Sequence, residues 1–224
     1  LYKEVKEQLT RRLIAGEWAP GAMLPSEPRL AKRFNVGIST IRAAVRELEL
    51  ANVLIGCNNA HLVLEDGIWK VIGDPTEGAM LSAGHKVGGS KERLEREMPK
   101  HHEIPFDSDR KRRCVVRLLP DGRLRAFVNG APDLLLKRCT KLLTETGVRS
   151  PTDSDCTGIS AENAALAGRA LRVLGSAYRD LDIASSETLT AEDIEQDLVF
   201  VGLTGMYDPP RPEVKEAVAQ CRAA

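Results

Sequence analysis

The sequence is poor in aromatic residues and has no long apolar segment. Of its 224 residues, only two are Trp, three Tyr and four Phe. The longest stretch without Asp, Glu, Lys or Arg covers residues 50–64, and it still contains three Asn and one His. A membrane-spanning helix needs about 20 apolar residues, so we expect no membrane span. No basic segment followed by an apolar one suggests a signal peptide, and we expect a cytoplasmic protein.

Cysteine is also scarce. The five cysteines are odd in number and never form a C-x-x-C pair, and they occupy positions 57, 114, 139, 156 and 221. This pattern favours reduced thiols over a disulfide framework or a zinc site. A G-x-x-x-x-G-K-[ST] phosphate loop and an H-E-x-x-H metal motif are both absent. With 42% hydrophobic and 29% charged residues, the composition is that of a globular protein.

A net charge is absent as well, since 32 Lys and Arg balance 32 Asp and Glu. The balance is uneven along the chain. Residues 1–55 hold nine basic and six acidic residues, a charge of +3, and residues 56–224 hold the remaining 23 and 26, a charge of −3. The overall zero therefore does not exclude binding to nucleic acid.

The first 55 residues have the periodicity of helices. One apolar stripe at four-residue spacing consists of Leu1, Val5, Leu9 and Leu13. Gly16 is a plausible end of this helix. We expect Ser26 to cap a second helix that has Pro28 in its first turn.

A third helix is predicted over residues 38–50. Its predicted outer face carries small hydroxyls and arginines, namely Ser39, Thr40, Arg42 and Arg46. Two helices joined by a tight turn, with such residues outward on the second, make a helix-turn-helix that can contact phosphates and base edges. A small helical bundle with ordinary solvated charges fits the periodicity equally well.

The residues themselves favour the first alternative. Residues 1–55 contain G-x-W-x-P-G, L-P-S-E-x-x-L-A and V-x-x-x-T-I-R-x-A, and this segment closely resembles the DNA-binding domain of GntR-type bacterial transcription regulators. The resemblance implies DNA contacts by Ser39, Thr40 and Arg42, with Arg46 further along the helix. The family often has Arg where Pro28 stands, and it continues into a two-stranded wing, whereas here the resemblance stops near Ile55.

Residues 56–224 mix strands and helices. We predict a hairpin at 63–72, strands at 114–119, 124–128 and 198–203, helices at 132–140 and 161–174, and an internal loop at 144–158. The fold class is therefore α+β, with a small all-α helix-turn-helix domain followed by an antiparallel sheet with flanking helices.

Few of the polar clusters in this part indicate chemistry by spacing alone. His101, His102 and Glu103 are expected in an exposed loop rather than in a metal site. The basic run 110–113 fits a nucleic-acid patch or a charged strand edge. Phe106 lies just upstream of it, so it could stack on a nucleobase, although a core position is the more frequent role of a Phe.

The order of several motifs points to one family. CNNAHL (57–62), GDPTEGA (73–79), PFDSDRKR (105–112), NGAPDLLLKRCT (129–140), LRVLGSAYRD (171–180) and the segment 197–224 follow one another. Together they resemble the nucleotide-binding domain of P-type cation-transporting ATPases, most closely those like calcium pumps. The resemblance implies ATP, with or without Mg²⁺, as the ligand.

The same resemblance assigns roles to residues. It places Phe106 against adenine, Glu77 at the adenine edge, Lys111 at the pocket wall, and Arg172 at the phosphates. Gly130 would let the backbone approach the nucleotide. A hinge back to the phosphorylation domain is implied at Asp208, Pro209, Pro210 and Arg211.

One site residue departs from the family pattern. Asn129 stands where the family has Lys, in K-G-A-P-[DE]. A charge-assisted contact is worth about 1.5–3 kcal/mol, so its loss would weaken ATP binding roughly tenfold to a hundredfold. Lys137 or Arg138 could compensate for the lost charge.

The chain thus combines two unrelated families and is interpreted as a chimera. We predict a helix-turn-helix domain at 1–55, a nucleotide-binding domain at 56–206, and a hinge with the start of a phosphorylation-domain segment at 207–224. The family's D-K-T-G-T phosphorylation motif is absent, so nucleotide binding without turnover or transport is expected. The alternatives are a DNA-binding regulator with ATP as effector and a soluble ATPase. We expect a monomer or a weak dimer.

Overall fold

The structure is a computed structural model that describes residues 2–15, 17, 25–65, 67–181, 190–207 and 212–223. The helices in this part are α1 (Tyr2–Ile14), α2 (Glu27–Phe34), α3 (Ile38–Gly56), α4 (Pro75–Lys86), α5 (Lys91–Glu97), α6 (Pro132–Leu136), α7 (Asp153–Gly168), α8 (Ala191–Ile194) and α9 (Pro212–Ala223). The strands are β1 (His61–Glu65), β2 (Ile68–Ile72), β3 (Lys100–Asp107), β4 (Arg112–Leu118), β5 (Leu124–Gly130), β6 (Cys139–Thr144), β7 (Gly147–Arg149), β8 (Arg172–Leu181) and β9 (Leu198–Met206).

Helices α1 and α2 pack on the first half of α3. Their shared core consists of Val5, Leu9, Leu30, Ala31, Ile41 and Ala44. Ser26 precedes α2 as predicted, but its side chain makes no capping hydrogen bond. Asn35 ends α2 in the left-handed conformation, with a φ of 51°, which turns the chain into α3. The predicted helix-turn-helix arrangement is therefore present.

Helix α3 is longer than the sequence predicted. It continues without a break past residue 50 to Gly56, over 19 residues. The added turns are apolar, and Val53, Ile55 and Gly56 are buried. The predicted end at residue 50 was wrong because the following Ala-Asn-Val-Leu-Ile run contains no helix breaker and has an apolar surface to cover.

That surface belongs to a sheet of seven described strands in the order β3-β4-β5-β8-β9-β6-β7. Each neighbouring pair of these strands is antiparallel except β6 and β9, which run parallel. Val53 and Cys57 pack on one face, against Val115, Phe127 and Val201. The opposite face is covered by Leu135 of α6 and Ile194 of α8, with Val128 in the same core. This architecture confirms the predicted α+β fold class.

The hairpin predicted at 63–72 is confirmed as β1 and β2, which pair His61 with Ile72 at the open end. Helix α4 follows it directly. Asp74 caps α4 by accepting hydrogen bonds from the backbone N–H groups of Thr76 and Glu77. The GDPTEGA motif is thus a helix start that faces the sheet.

Four predictions about local structure were wrong. The helix predicted at 132–140 ends at Leu136, and β6 begins at Cys139. The helix predicted at 161–174 instead covers Asp153–Gly168, and residues from Arg172 onward form β8. The loop predicted at 144–158 contains β7 and the start of α7. His101, His102 and Glu103 lie in β3 rather than in a loop.

Physical reasons account for these differences. Thr152 and Asp155 form a capping box, so a polar segment that resembles a loop begins α7. The later segment 172–181 is paired on both sides, with β5 and with β9, and this pairing makes residues 172–174, predicted as the end of a helix, part of a strand. No helix in the described part of the chain is both long and apolar enough to cross a bilayer. The predicted hinge residues Asp208, Pro209, Pro210 and Arg211 lie outside the described residues.

Candidate nucleotide site and candidate DNA interface

The residues predicted to bind nucleotide gather at one end of the sheet. Strand β3 ends at Asp107, β4 begins at Arg112, β5 ends at Gly130 and β8 begins at Arg172. Arg112 pairs with Asp107 and with Gly130, and Arg172 lies three residues beyond Gly175, the partner of Gly130, so the four points lie at the same end of the sheet. The exposed side chains of Phe106, Lys111 and Arg172 are therefore presented at a common edge of the domain.

Phe106 is an exposed aromatic residue, not a core residue, with 60% of its surface accessible. The pairing of β3 with β4 shifts between Ile104 and Asp107, so Pro105 and Phe106 together stand opposite Arg113. Side chains alternate along a strand, which directs Phe106 to the face that also carries Arg113. The structure thus leaves a ring face free to stack on a planar ligand.

The next residues of this row lie deeper in the sheet. Arg113 pairs with Asn129, and Asn129 pairs with Ser176, so the row crosses four strands from Phe106 to Ser176. Directly opposite residues of an antiparallel pair share a face. Phe106 forms the accessible end of this row, and Asn129 lies in its floor.

A network of charges covers the middle of the row. The Arg113 guanidinium is paired with Glu77 of α4, and its Nη2 lies 2.5 Å from Oε1 of Glu103. Lys100 Nζ lies 2.8 Å from the other oxygen of Glu103. Burial raises the pKa of Glu103, but hydrogen bonds from Lys100 and Asn59 outweigh it and hold this pKa below its ordinary value. Glu103 is therefore an anion at neutral pH.

Glu77 is bound on both of its oxygens. One is paired with Arg113, and the other accepts hydrogen bonds from the backbone N–H groups of Asn59 (2.8 Å) and Ala60 (3.1 Å). The side chain of Asn58 also donates to the Glu77 carbonyl at 2.6 Å. The CNNAHL and GDPTEGA motifs thus contact each other, which fixes the Glu77 carboxylate beside the row.

Asn129 is 4% exposed, and its amide is engaged within the protein. Its Nδ2 donates to the Val53 carbonyl at 3.4 Å, and its Oδ1 accepts from Ser176 Oγ at 2.7 Å. Lys137 and Arg138 follow α6, whose Leu135 packs on the opposite face of the sheet. The two cations therefore follow a helix on the face of the sheet opposite to the Asn129 amide, which bonds to Val53 of α3.

Gly130 is needed for a close approach within the protein. A Cβ there would lie 2.5 Å from the Cβ of Arg112 and 2.7 Å from the Lys111 carbonyl oxygen. That carbonyl accepts a hydrogen bond from the Ala131 N–H at 2.9 Å. Gly130 therefore lets the β3–β4 turn, which carries Lys111 with a φ of 55°, lie against the end of β5.

The basic run 110–113 has mainly structural partners. Arg110 and Arg112 both bind the fully buried carboxylate of Glu195, at 2.5 and 2.7 Å. Only Lys111 of this run is exposed. Within the described residues, no group of three or more His, Cys, Asp and Glu could hold a metal ion.

A cavity of about 940 Å³ lies elsewhere. It is bounded by the second half of α3, by β6 and β9, and by α7, and its lining includes Arg46, Leu50 and Gly202. None of the predicted nucleotide contacts lines it. The nucleotide candidates form an open surface site at the other edge of the sheet.

The predicted DNA contacts lie near the start of α3. Ser39 is exposed and Thr40 is partly exposed. Arg42 Nε donates to Glu27 at 2.6 Å within the helix-turn-helix, and Arg46 is exposed at the cavity between α3 and the sheet. The four residues therefore do not have equal access to a duplex.

One face of α3 carries both the DNA candidates and the contacts with the sheet. Spacings of three and four residues place Ser39, Arg42, Arg46, Glu49 and Val53 on one stripe. Glu49 lies 3.5 Å from Arg125 of β5, and the Val53 carbonyl accepts from Asn129. At 1.5 Å per residue, about 15 Å of helix separates Ser39 from the first of these contacts.

Sequence comparisons identify both parts of this arrangement. Residues 47–213 match the family described as P-type ATPase, cytoplasmic domain N, and residues 1–56 match bacterial regulatory proteins of the gntR family. The two matches overlap at residues 47–56, which all lie in α3. The fold and the motif contacts therefore define a P-type ATPase domain N preceded by a GntR-type helix-turn-helix.

Similar proteins include the calcium-transporting ATPase of Bacillus subtilis, which is 39% identical over 168 residues, 75% of this chain and 19% of that protein. The cation-transporting ATPase pma1 of Synechocystis is 36% identical over 191 residues, 85% of this chain and 20% of that protein. The chain thus spans about a fifth of the length of the curated relatives it matches. It belongs to the P-type ATPase domain N family, and it is a chimera with a GntR-type segment.

Proposed function

We propose that the chain binds ATP at the edge of the sheet marked by Phe106, with Lys111 and Arg172 attracting the phosphates and Glu77 beside the adenine. The observation that carries this proposal is the exposed Phe106 ring in line with a charged network at the end of four strands. Stacking of a base on an aromatic side chain is worth about 1–3 kcal/mol. Asn129 and Gly130 shape the floor of this site.

The chain acts, on this proposal, as the cytoplasmic nucleotide-binding unit of a cation pump and does not itself transport ions or turn over ATP. The sequence holds no D-K-T-G-T segment to accept the phosphoryl group. Residues 1–55 and 56–206 serve as the two binding units, and residues 207–224 form the hinge and the start of a phosphorylation-domain segment. We expect a monomer or a weak dimer.

Calorimetric titration of ATP into the chain, with and without Mg²⁺, tests the proposal. We expect saturable binding that Phe106→Ala weakens roughly fivefold to 150-fold, since each 1.4 kcal/mol is tenfold. Val148→Ala is the matched control, because Val148 is an exposed apolar residue on the opposite edge strand. Absence of saturation at ~10 mM ATP, or equal loss in both variants, would contradict ATP binding at Phe106.

Duplex DNA is the second candidate ligand, favoured by the exposure of Ser39 at the start of α3. A recognition helix must enter a major groove about 8.5 Å deep. Because α3 meets the sheet one turn beyond Arg46, only its first turns can enter a groove. We therefore expect weak, salt-dependent binding with little sequence preference.

Electrophoretic mobility shifts at several salt concentrations test this second proposal. Ser39→Glu places a negative charge at the phosphate-facing position, so it should abolish the shift. Ser108→Glu, in the exposed β3–β4 turn, adds the same charge away from α3 and should leave the shift unchanged. Tight operator-selective binding that persists at high salt would contradict the geometric limit.

A further inference from the structure

Asn129 supplies no positive charge to the nucleotide site at the position where the family has Lys. The buried amide of Asn129 bonds to Val53 and Ser176, so it offers neither a charge nor a free donor to a ligand. The row that leads to it from Phe106 contains one cation, Arg113. Any compensation within this row must therefore come from Arg113.

The charges bonded to Arg113 balance only because Arg113 is present. The network holds two cations, Arg113 and Lys100, against two carboxylates, Glu77 and Glu103. Without Arg113, the network would hold two carboxylates and one ammonium, a net charge of −1, at the middle of the row that begins at Phe106. A triphosphate bound alongside would be repelled by that charge.

The geometry of Arg113 suits this role. Its side chain is 12% exposed, so water screens its charge only in part. The strand register places it between the residues that would contact the base and the position where the family has Lys. Its Nε is buried and has no hydrogen-bond partner among the described residues, so one donor of the guanidinium is uncommitted.

We propose that Arg113 is the electrostatic positioning residue of the nucleotide site: it replaces the charge that Asn129 lacks by neutralising Glu77 and Glu103, and it thereby admits a polyphosphate beside Phe106. This inference rests on the proposed function and specifies how the site accepts the anionic part of its ligand. Arg113 acts through the charges of the two carboxylates, whereas the backbone N–H groups of Asn59 and Ala60 also hold the Glu77 carboxylate in place. Its effect is therefore directed at the phosphates rather than at the base.

The test measures ATP and adenosine affinities for three forms of the full chain. Arg113→Met keeps the length and apolar stem of the side chain but removes its charge. It should weaken ATP binding about tenfold and leave adenosine binding within about twofold. In the double variant Arg113→Met with Glu103→Gln, the local charge returns to zero, and ATP affinity should recover to within about threefold of the parent chain.

The outcomes separate this inference from the proposed function. Thermal unfolding of each variant verifies that it is folded. Equal loss of ATP and adenosine affinity, or no recovery in the folded double variant, would show that Arg113 is only structural. Unchanged ATP affinity in Arg113→Met would overturn the inference while leaving ATP binding intact. Failure of the parent chain to bind either ligand would overturn both.

Discussion

The two halves of α3 lie in different surroundings, although the helix between them is continuous. The first half contributes Ile41 and Ala44 to a small core shared with α1 and α2. The second half contributes Val53 and Ile55 to the cores beneath the sheet and α4. Two families of unrelated folds can therefore share one helix, because each needs only one stripe of it.

The contacts between the halves reinforce that continuity. Lys6 of α1 lies 2.5 Å from Glu47, and Arg125 of β5 lies 3.5 Å from Glu49. Two residues of α3 that are two positions apart are therefore paired with the helix-turn-helix and with the sheet, respectively. Arg125 also lies over the Tyr178 ring at 4.4 Å. The helix-turn-helix is thus joined to the sheet by packed and charged contacts as well as by the chain itself.

The largest expected contrast comes from a pair of isoleucines on α3. Ile55 is fully buried and Ile38 is 38% exposed. Ile55→Ala should lower the free energy of unfolding by about 2–5 kcal/mol, and Ile38→Ala by less than about 0.5 kcal/mol. Urea unfolding followed by circular dichroism measures both, and similar losses would contradict the difference in surroundings.

A pair of glycines gives the next largest contrast. A Cβ at Gly56 would lie 2.6 Å from the Phe127 ring, whereas one at Gly37 would meet only Ser39 Oγ, at 3.6 Å. We therefore expect Gly56→Ala to cost about 1–3 kcal/mol through overpacking. Gly37→Ala, as the control, should cost less than about 1 kcal/mol, because Gly37 is the N-cap of α3 and has room for a methyl group. Urea unfolding measures both variants. An unchanged free energy of unfolding in Gly56→Ala would show that the end of α3 does not pack tightly on the sheet.

Two carboxylates should respond to pH in opposite directions. Burial raises the pKa of Glu49, although Arg125 opposes the shift, whereas hydrogen bonds lower the pKa of Glu103 despite its burial. A carboxyl group whose pKa is raised in the folded state stabilises the fold below about pH 4.5, and this contribution is lost as the pH rises. A carboxyl group whose pKa is lowered in the folded state stabilises the fold above about pH 4.5, and this contribution is lost as the pH falls. The thermal midpoint of Glu49→Gln should therefore rise relative to the parent chain between about pH 4 and 7.

Glu103→Gln provides the opposite control. Its midpoint should fall relative to the parent chain as pH rises from about 3 to 5, because only the parent gains the ionised Glu103. Parallel shifts in the two variants would contradict the assignment of a partly buried carboxylate at the α3–sheet contact and a hydrogen-bonded one in the nucleotide site.

The smallest perturbation is thiol labelling, which needs no substitution. Cys57 follows the last turn of α3, and burial raises its pKa to about 11. At pH 8 roughly a thousandth of this thiol is ionised while it stays buried. Cys221 is exposed and should react first. Mass spectrometry of the labelled chain checks the order, and early labelling of Cys57 would show that the second half of α3 opens readily.

Local patterns were sufficient to predict part of the fold. The hairpin and the strands β4, β5 and β9 follow from apolar runs bounded by turn residues, and each predicted end lies within three residues of the observed one. The starts of α2 and α3 follow from Pro28 and from the Asn35–Gly37 turn. These features depend on near neighbours in sequence, which a single chain displays.

Features that depend on distant partners were missed. The extension of α3 depends on a sheet that forms more than 50 residues later, and β8 is a strand because β5 and β9 flank it. In the site, the exposure of Phe106 follows from a bulge, and the role of Arg113 follows from its register with Asn129. The basic run 110–113 contained Arg113 but gave no sign that its members point to opposite faces of the sheet.

Amide hydrogen exchange along α3 tests most directly the claim that one helix serves both parts. We predict protection close to that of global unfolding at residues 51–56, declining smoothly toward residues 38–41, with no fast-exchanging amides between them. Rapid exchange confined to residues 47–50, with slower exchange on both sides, would mean two separate helices joined by a hinge. That result would contradict the account.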